Sequence, residues 1–328
     1  MSTTELPFIK CHGSGNDFIL IDERSSSSVL SPEQRSRMAL LLCDRKGGIG
    51  ADGILFVLNS EVASGRMIIV NSDGSEPEMC GNGLRCVARY ISEAKGLLDF
   101  HIETKGGVYA VERVDDFFEQ IPAYSIRIDT ISWGTDDVFP EANAEKFLHH
   151  PLPFLESELL YSMIKNPNPH LVAQTAGPDT ALLSRIGQRC NGNRDHFPKG
   201  TNVNLFYALA ENAIFVETYE RGVGLTNACG TGMLATSIIA RTLEVIPPGQ
   251  WITVYNKGGF VKCRVNEVDG HIQSADLLGN ATYEWEGLVS LDWSNPADFL
   301  VMTHRVFEAE IMAYERLRHF AQNRIATT

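Results

Sequence analysis

The first half of the chain alternates short apolar runs with glycine-rich or polar turns, a pattern that predicts strands joined by tight connections. A turn is predicted at residues 13–15, between the first two strands. A helix is predicted to begin at Ser31-Pro32, because serine is a favoured N-cap and proline suits the first helical position. Strands are predicted at 8–10, 18–21, 53–58 and 66–71.

The second half repeats this plan, with strands predicted at 171–172, 203–206 and 213–216. Aligning Cys80 with Cys229 also aligns Asn71 with Glu220, each nine residues upstream at the end of a predicted strand. This correspondence indicates an internal duplication. Residues 120–165 are irregular and rich in proline, and they form the candidate boundary between the halves.

Beyond about residue 290, apolar positions recur near helical spacing with charges between them. This pattern predicts one or two amphipathic helices that pack on the body of the protein or in a dimer. We therefore expect three regions, namely an N-terminal half at 1–122 completed by a strand near 281–290, a C-terminal half at 123–280, and a helical extension at 291–328.

Two short motifs are nearly identical although they lie far apart in the chain. Each is a Cys-Gly-polar-Gly turn that opens an apolar, helix-like run. They occupy residues 78–83 (EMCGNG) and 227–232 (NACGTG).

A cysteine at the N-terminus of a helix experiences the positive end of the helix dipole, which favours the thiolate. The N–H groups that follow it can hold an anion. One such motif is also consistent with a small buried side chain beside a tight turn. Two copies indicate two thiols, Cys80 and Cys229, on opposite sides of one anionic substrate. Since two thiolates would repel each other, one thiol is expected to act as base and the other as acid.

Composition narrows the class of function. The net charge of −13 argues against binding to nucleic acid or to an anionic membrane surface. The seven cysteines are odd in number and form no CxxC pair, so neither a disulfide framework nor a zinc site is expected. We find no signal peptide and no apolar stretch of roughly 20 residues. These features predict a reduced, cytoplasmic protein that acts on a small molecule and needs no metal.

The motifs resemble those of the diaminopimelate epimerase family, which interconverts the LL and meso forms of diaminopimelate without a cofactor. The matches occur in the family's order over roughly residues 8 to 287. They are residues 12–18 (HGSGNDF), 48–53 (GIGADG), 71–83 (NSDGSEPEMCGNG), 168–170 (NPH), 200–204 (GTNVN), and 219–222 (YERG) running into 228–232 (ACGTG).

The resemblance implies an α/β (α+β) fold of two pseudo-symmetric halves. Each half is a sheet or barrel around a central helix, with the active site in the cleft between them. It also implies that Cys80 and Cys229 are the catalytic acid/base pair, that no cofactor is used, and that the product feeds lysine and peptidoglycan synthesis. A homodimer is the family expectation. The implied substrate-binding residues are Asn16, Asn71, Gly81, Asn82, Asn168, Asn202, Glu220, Arg221, Gly230 and Thr231.

Some positions depart from the family pattern, notably Asn166-Pro167 before Asn168, Met233-Leu234 after the second motif, and the C-terminal extension. Two alternatives therefore stay open. One is a related cofactor-independent racemase of another amino acid such as histidine or proline. Such an enzyme would have little use for residues that clamp a second amino-acid head. The other is a binding protein in which the two thiols form a switch disulfide.

Overall fold

The structure is a computed structural model that describes residues 3–25, 29–115, 117–119, 121–135, 139–140, 144–192, 195–292 and 299–326. Two compact units divide the chain. Unit 1 comprises Met1–Ile126 and Leu278–Leu317, and unit 2 comprises Arg127–Leu277 and Arg318–Thr328. Within the described ranges, no helix is long and apolar enough to cross a membrane.

Five α-helices, one short 3-10 helix (Pro153–Leu155) and eighteen strands are present in the described residues. The helices are α1 Pro32–Leu42, α2 Gly81–Lys95, α3 Thr180–Gly192, α4 Gly230–Thr242 and α5 Glu308–Ala326. The strands are β1 Thr3–Gly13, β2 Asn16–Asp22, β3 Gly53–Leu58, β4 Arg66–Asn71, β5 Asp99–Thr104, β6 Gly107–Val114, β7 Ala123–Ile128, β8 His150–Pro151, β9 Leu160–Lys165, β10 Pro169–Gln174, β11 Asn202–Ala210, β12 Ala213–Glu220, β13 Gly224–Thr226, β14 Ile252–Asn256, β15 Gly259–Val268, β16 His271–Asn280, β17 Thr282–Asp292 and β18 Phe299–Val306.

The strands of unit 1 pair in the order β18–β17–β1–β2–β3–β4–β5–β6–β7. The pairs β2–β3 and β4–β5 are parallel, and the other neighbours in this order are antiparallel. Parallel neighbours need a crossover connection, which α1 and α2 provide.

In unit 2 the order is β8–β9–β10–β11–β12–β14–β15, and β13 pairs with one end of β12. Its parallel pairs are β10–β11 and β12–β14, and α3 and α4 provide the two crossovers. The two units have the same order of parallel and antiparallel strand pairs. The comparison runs from β17 to β6 in unit 1 and from β8 to β15 in unit 2. The duplication suggested by the two motifs therefore extends to the topology, and the predicted α/β class is confirmed.

One helix in each unit is almost fully buried. In α2 the buried stretch runs through residues 81–89, and in α4 it runs through residues 230–240. Gly83 shows how tightly α2 packs on the sheet, because a Cβ there would lie 2.7 Å from a methyl group of Leu55. Each unit is thus a sheet packed around a helix that begins directly after one of the two motif cysteines.

Helix α1 begins at the residues that the sequence predicts, Ser31 and Pro32. The Ser31 hydroxyl accepts a hydrogen bond from the Gln34 N–H at 3.2 Å, and the Gln34 side chain accepts one from the Ser31 N–H at 2.8 Å. This reciprocal pair is a capping box, and Pro32 occupies the first turn.

The C-terminal extension is only partly helical. The predicted helix is present as α5, but Phe299–Val306 forms strand β18, which pairs antiparallel with β17. Residues 299–306 form a strand because the edge of β17 provides backbone hydrogen-bond partners. The spacing of apolar residues within 299–306 cannot indicate that this edge is nearby. The predicted extension also includes residues 293–298 and 327–328, which lie outside the described residues.

Helix α5 is attached to α2 and β17 by a partly buried ion pair. The Arg89 guanidinium donates to both Glu310 oxygens at 2.5 and 2.8 Å, and Glu310 also accepts the Tyr283 N–H at 3.0 Å. The guanidinium carbon of Arg89 lies 3.6 Å from the centre of the Tyr283 ring. Nearby on α5, Tyr314 packs against the His12 ring at 4.2 Å between centroids.

Replacing Glu310 by glutamine should loosen α5, because Arg89 has only 6% side-chain exposure and would lose its bidentate partner. Hydrogen bonds to charged groups contribute about 2 kcal/mol. We therefore expect amide hydrogen exchange along α5 to accelerate by about tenfold or more. Glu308→Gln, at an exposed position on the same helix, is the matched control. Equal exchange in the two variants would contradict this account of how α5 is held.

Candidate active site

Both motif cysteines occupy the N-cap position of their helix, as the sequence predicts. Cys80 precedes α2 with φ −139° and ψ 114°, and Cys229 precedes α4 with φ −118° and ψ 105°. Neither side chain caps its own helix. The N–H groups in the first turn of a helix have no intrahelical acceptor, so they can bind an anion beside each thiol.

Four of the predicted residues of unit 1 lie together. The Asn16 carboxamide oxygen accepts a hydrogen bond from the Cys80 thiol at 3.7 Å and another from the Asn82 amide nitrogen at 3.2 Å. Gly81 and Asn82 form the first turn of α2, and Asn82 is only 4% exposed. Cys80 itself is half-buried. The thiol therefore lies beside an amide oxygen and a helix N-terminus.

Asn71 has a different environment at the end of β4. Its side-chain nitrogen donates to the Ser75 hydroxyl at 3.0 Å, and its backbone N–H donates to the Ser75 carbonyl at 2.8 Å. Gly74 within this turn has φ +81°, a conformation that suits glycine. The Asn71 side chain thus supports its own turn.

Cys229 is more deeply buried than Cys80, with 6% exposure. Its sulfur lies 3.6 Å from the Thr231 hydroxyl. Burial and the negative charge of Glu220 raise the pKa of the Cys229 thiol well above its usual value, and hydrogen bonds from Thr231 and the Gly232 backbone offset this only in part. Without substrate, Cys229 is therefore a thiol at neutral pH. The lowered pKa expected from the helix dipole is not found here, because desolvation and the nearby carboxylate outweigh the dipole.

A buried polar network supports the start of α4. The Asn204 side-chain nitrogen lies 3.1 Å from His170 Nδ1, and its oxygen accepts the Thr218 hydroxyl at 2.9 Å. Burial lowers the pKa of His170 to about 3, so the ring is neutral at pH 7. A Cβ at Gly232 would lie 2.4 Å from the Asn204 oxygen, so glycine is needed there for α4 to approach this network.

The other predicted residues of unit 2 lie in two turns. Asn202 accepts the Arg221 backbone N–H at 3.0 Å, which ties the start of β11 to the turn after β12. Asn168 follows the cis peptide bond between Asn166 and Pro167, and its carbonyl accepts the Asn166 N–H at 3.1 Å. The Asn166 side chain in turn donates to the Thr231 carbonyl at 3.1 Å, so this turn is attached to the first turn of α4.

Several residues near the two cysteines were given no role from the sequence, namely Asp52, Arg85, Asn166 and Asn204, and Asn166 was noted only as a departure from the family pattern. Asp52 binds Asn16, Arg85 binds Asn82, and Asn166 and Asn204 support the start of α4. Asp52 and Asn204 do lie within matched family motifs, which is the one signal that could have drawn attention to them. Among the described residues, no group of three His, Cys, Asp or Glu side chains is arranged to hold a metal ion.

Comparison with known proteins gives consistent results. The diaminopimelate epimerase family model matches residues 8–122 and 163–283. A diaminopimelate epimerase from Clostridium acetobutylicum is 38% identical over 318 residues, which is 97% of this chain and 95% of that protein. One from Ligilactobacillus salivarius is 39% identical over 286 residues, or 84% of this chain and 88% of that protein.

A solved structure of a phenazine biosynthesis protein of the PhzF family from Bacillus anthracis has a TM-score of 0.64 at 17% identity. The match covers 88% of this chain and 99% of that one, and it shows a shared fold. The family match, the two relatives and the duplicated helices with cysteine at the N-cap position lead to one conclusion: this chain belongs to the diaminopimelate epimerase family.

Proposed function

We propose that this protein is a diaminopimelate epimerase that interconverts LL- and meso-2,6-diaminopimelate without a cofactor, in the synthesis of lysine and peptidoglycan precursors. The observation that carries the proposal is the duplicated element in which a cysteine occupies the N-cap position of a helix whose first turns are buried. Family membership supports the substrate. The free thiols of all seven cysteines suit a reducing compartment such as the cytoplasm.

In the proposed reaction, Cys80 and Cys229 are the two acid/base groups. One thiolate removes the α-proton, and the other thiol delivers a proton to the opposite face of the same carbon. The backbone N–H groups at Gly81, Asn82, Gly230 and Thr231 bind the α-carboxylate, and the positive ends of α2 and α4 stabilise the negative charge that develops as the proton leaves.

The environment of Cys229 suggests how its thiolate is formed. Its raised pKa means that the thiol does not ionise by itself at neutral pH, and the carboxylate of Glu220 interacts with it directly. We propose that Glu220 takes the proton of Cys229 when Cys229 acts as base and returns it afterwards. This assigns Glu220 to the reacting end of the substrate.

The far end of diaminopimelate is a second amino-acid head. We propose that Asn71, Asn168, Asn202 and Arg221 bind it, as the family resemblance implies. Arg221 is exposed, and its guanidinium can hold a carboxylate in a bidentate pair, while the amides can serve both ammonium and carboxylate groups.

The direct test follows the α-proton of LL-diaminopimelate by NMR in deuterated water, with reduced protein and no added cofactor. A two-base enzyme should give meso product that carries deuterium at the inverted carbon, while substrate recovered early keeps its proton. This follows because the incoming hydrogen comes from the second thiol. Cys80→Ser and Cys229→Ser should each lower the rate by at least about 100-fold, the usual contribution of a general acid or base.

No exchange by the reduced wild-type protein would reject diaminopimelate as substrate, and the same assay with histidine and proline would then identify a racemase of different specificity. Deuterium entering substrate and product equally from the start would reject the two-base mechanism. A buried cysteine outside the motifs, Cys190, provides the control: Cys190→Ser should leave the exchange rate essentially unchanged.

The proposed role of Glu220 predicts that Glu220→Gln makes the Cys229 thiol easier to alkylate but lowers epimerase activity. Glu220→Gln removes a negative charge beside Cys229, so the pKa of Cys229 should fall and its alkylation by iodoacetamide should begin about one pH unit lower. Epimerase activity should nevertheless drop, because the proton acceptor is lost. Alkylation is measured by mass spectrometry of the Cys229 peptide in a Cys80→Ser background.

The control is Glu211→Gln, because Glu211 is an exposed carboxylate in the turn before β12. This substitution should change neither the pH profile of Cys229 alkylation nor the epimerase activity. An unchanged pH profile of alkylation in Glu220→Gln would contradict the direct interaction of Glu220 with the thiol. Unchanged epimerase activity would contradict its role as proton acceptor.

A further inference from the structure

A directional chain of hydrogen bonds runs through unit 1 beside Cys80. It begins at Arg85, passes through the side-chain amides of Asn82 and Asn16, and ends at Asp52. An arginine side chain can only donate hydrogen bonds, and a carboxylate can only accept them. Each end therefore dictates which way the neighbouring amide must face.

The Arg85 end is fully buried and held from several sides. Its guanidinium donates to the Asn82 oxygen at 2.9 Å, to the Ser14 hydroxyl at 3.0 Å and to the Asn280 carbonyl at 3.0 Å. A Cβ at Gly13 or at Gly279 would lie 2.9 Å from guanidinium atoms, so both glycines are needed to make room. The Asn82 oxygen consequently faces Arg85, and the Asn82 nitrogen faces away from it.

The Asp52 end is also fixed. One carboxylate oxygen accepts the Asn16 side-chain nitrogen at 2.6 Å and the Asp17 backbone N–H at 3.1 Å. The other oxygen accepts Arg45 at 2.7 Å, and Arg45 binds Asp17 as well. The Asn16 nitrogen consequently faces Asp52, and the Asn16 oxygen faces away from it.

These constraints meet at the Asn16 oxygen. That atom accepts the Asn82 nitrogen at 3.2 Å and the Cys80 thiol at 3.7 Å, which occupies both of its lone-pair directions. We infer that Asp52 and Arg85 are positioning residues that hold the two amides in one orientation, so that the Asn16 side chain presents its oxygen, an acceptor, to Cys80.

This inference rests on the proposed function where it concerns the substrate. The Asn16 oxygen beside Cys80 suits a thiol or an ammonium group, and it repels a thiolate or a carboxylate. When Cys80 loses its proton, the α-ammonium of the substrate can replace the S–H at the Asn16 oxygen. The α-carboxylate is left to the N–H groups of the α2 N-terminus. The chain of amides therefore distinguishes the two charged groups at the reacting centre.

The test needs no substrate. Asn82→Ala removes the donor that holds the Asn16 oxygen from the Arg85 end. Asp52→Asn, nearly isosteric at a partly exposed position, supplies an amide that can donate to Asn16, so the double variant allows the Asn16 amide to invert. The Asn16 nitrogen would then face Cys80 and stabilise the thiolate. We expect the pH midpoint of Cys80 alkylation, followed by mass spectrometry, to fall by about one unit. Asp44→Asn, in the same loop region and bound only to local backbone N–H groups, is the matched control.

A second variant predicts the opposite shift. Asn16→Asp places an acceptor-only carboxylate beside Cys80, so the alkylation midpoint should rise. General structural damage would expose Cys80 and move both variants in the same direction, and it would also lower the thermal midpoint. Unchanged alkylation profiles, or shifts of the same sign, would overturn the inference. Because the readout is alkylation, failure of diaminopimelate turnover would leave this result intact.

In addition, if the wild type epimerises diaminopimelate, the Asp52→Asn, Asn82→Ala double variant should have a kcat/KM about tenfold or more below that of Asn82→Ala alone, since the ammonium would meet a donor in place of an acceptor. A kcat/KM equal to that of Asn82→Ala alone, together with the expected alkylation shift, would overturn the assignment of the ammonium to Asn16.

Discussion

The structure depends on two helices that begin inside the protein with a cysteine where a capping side chain would ordinarily stand. The first N–H groups of any helix lack intrahelical partners, and serine, threonine, asparagine or aspartate commonly satisfies one of them. Cys80 and Cys229 do not. Helices α2 and α4 therefore begin, at the points where the thiols lie, with N–H groups that have no intrahelical acceptor. The surrounding sheets give these helices enough apolar packing to remain stable without that cap.

Burial also limits how far the helix dipole can lower the pKa of a cysteine at the helix N-terminus. A favourable charge interaction at a helix end contributes about 0.3–1 kcal/mol, and rarely as much as about 2 kcal/mol. Complete desolvation can change a pKa by about 3–5 units, which is several times larger. At Cys229 the larger effect prevails, and the pKa rises. The thiol is consequently protected from ionisation until a base or a substrate changes its surroundings.

The sequence predicts those features that local chemistry determines. The Ser31 capping box, the strands around the turn at residues 13–15 and the helix starts at both motif cysteines are all present. The duplicated motif also reveals the duplicated topology, because equivalent motifs occupy equivalent crossovers in the two units.

Features created by distant residues could not be predicted in this way. Strand β18 exists because β17 provides an edge, and the orientation of Asn82 depends on Arg85, which is itself held by Asn280, 195 residues further along the chain. The raised pKa of Cys229 depends on how deeply the sulfur is buried in the folded protein. The six-residue motif alone does not determine that burial.

The two duplicated units differ in the residues that surround their motif cysteines. Asn71 ends β4 and Glu220 ends β12, at equivalent places in the two units. Asn71 bonds within its own turn, whereas Glu220 interacts with the thiol of Cys229. Cys80 instead faces the Asn16 amide oxygen, which cannot take a proton. A carboxylate can exchange a proton with a thiol, whereas an amide oxygen cannot, so the two thiols lie in chemically different surroundings. A two-base reaction can use such a difference, because in each direction one group must accept a proton while the other donates one.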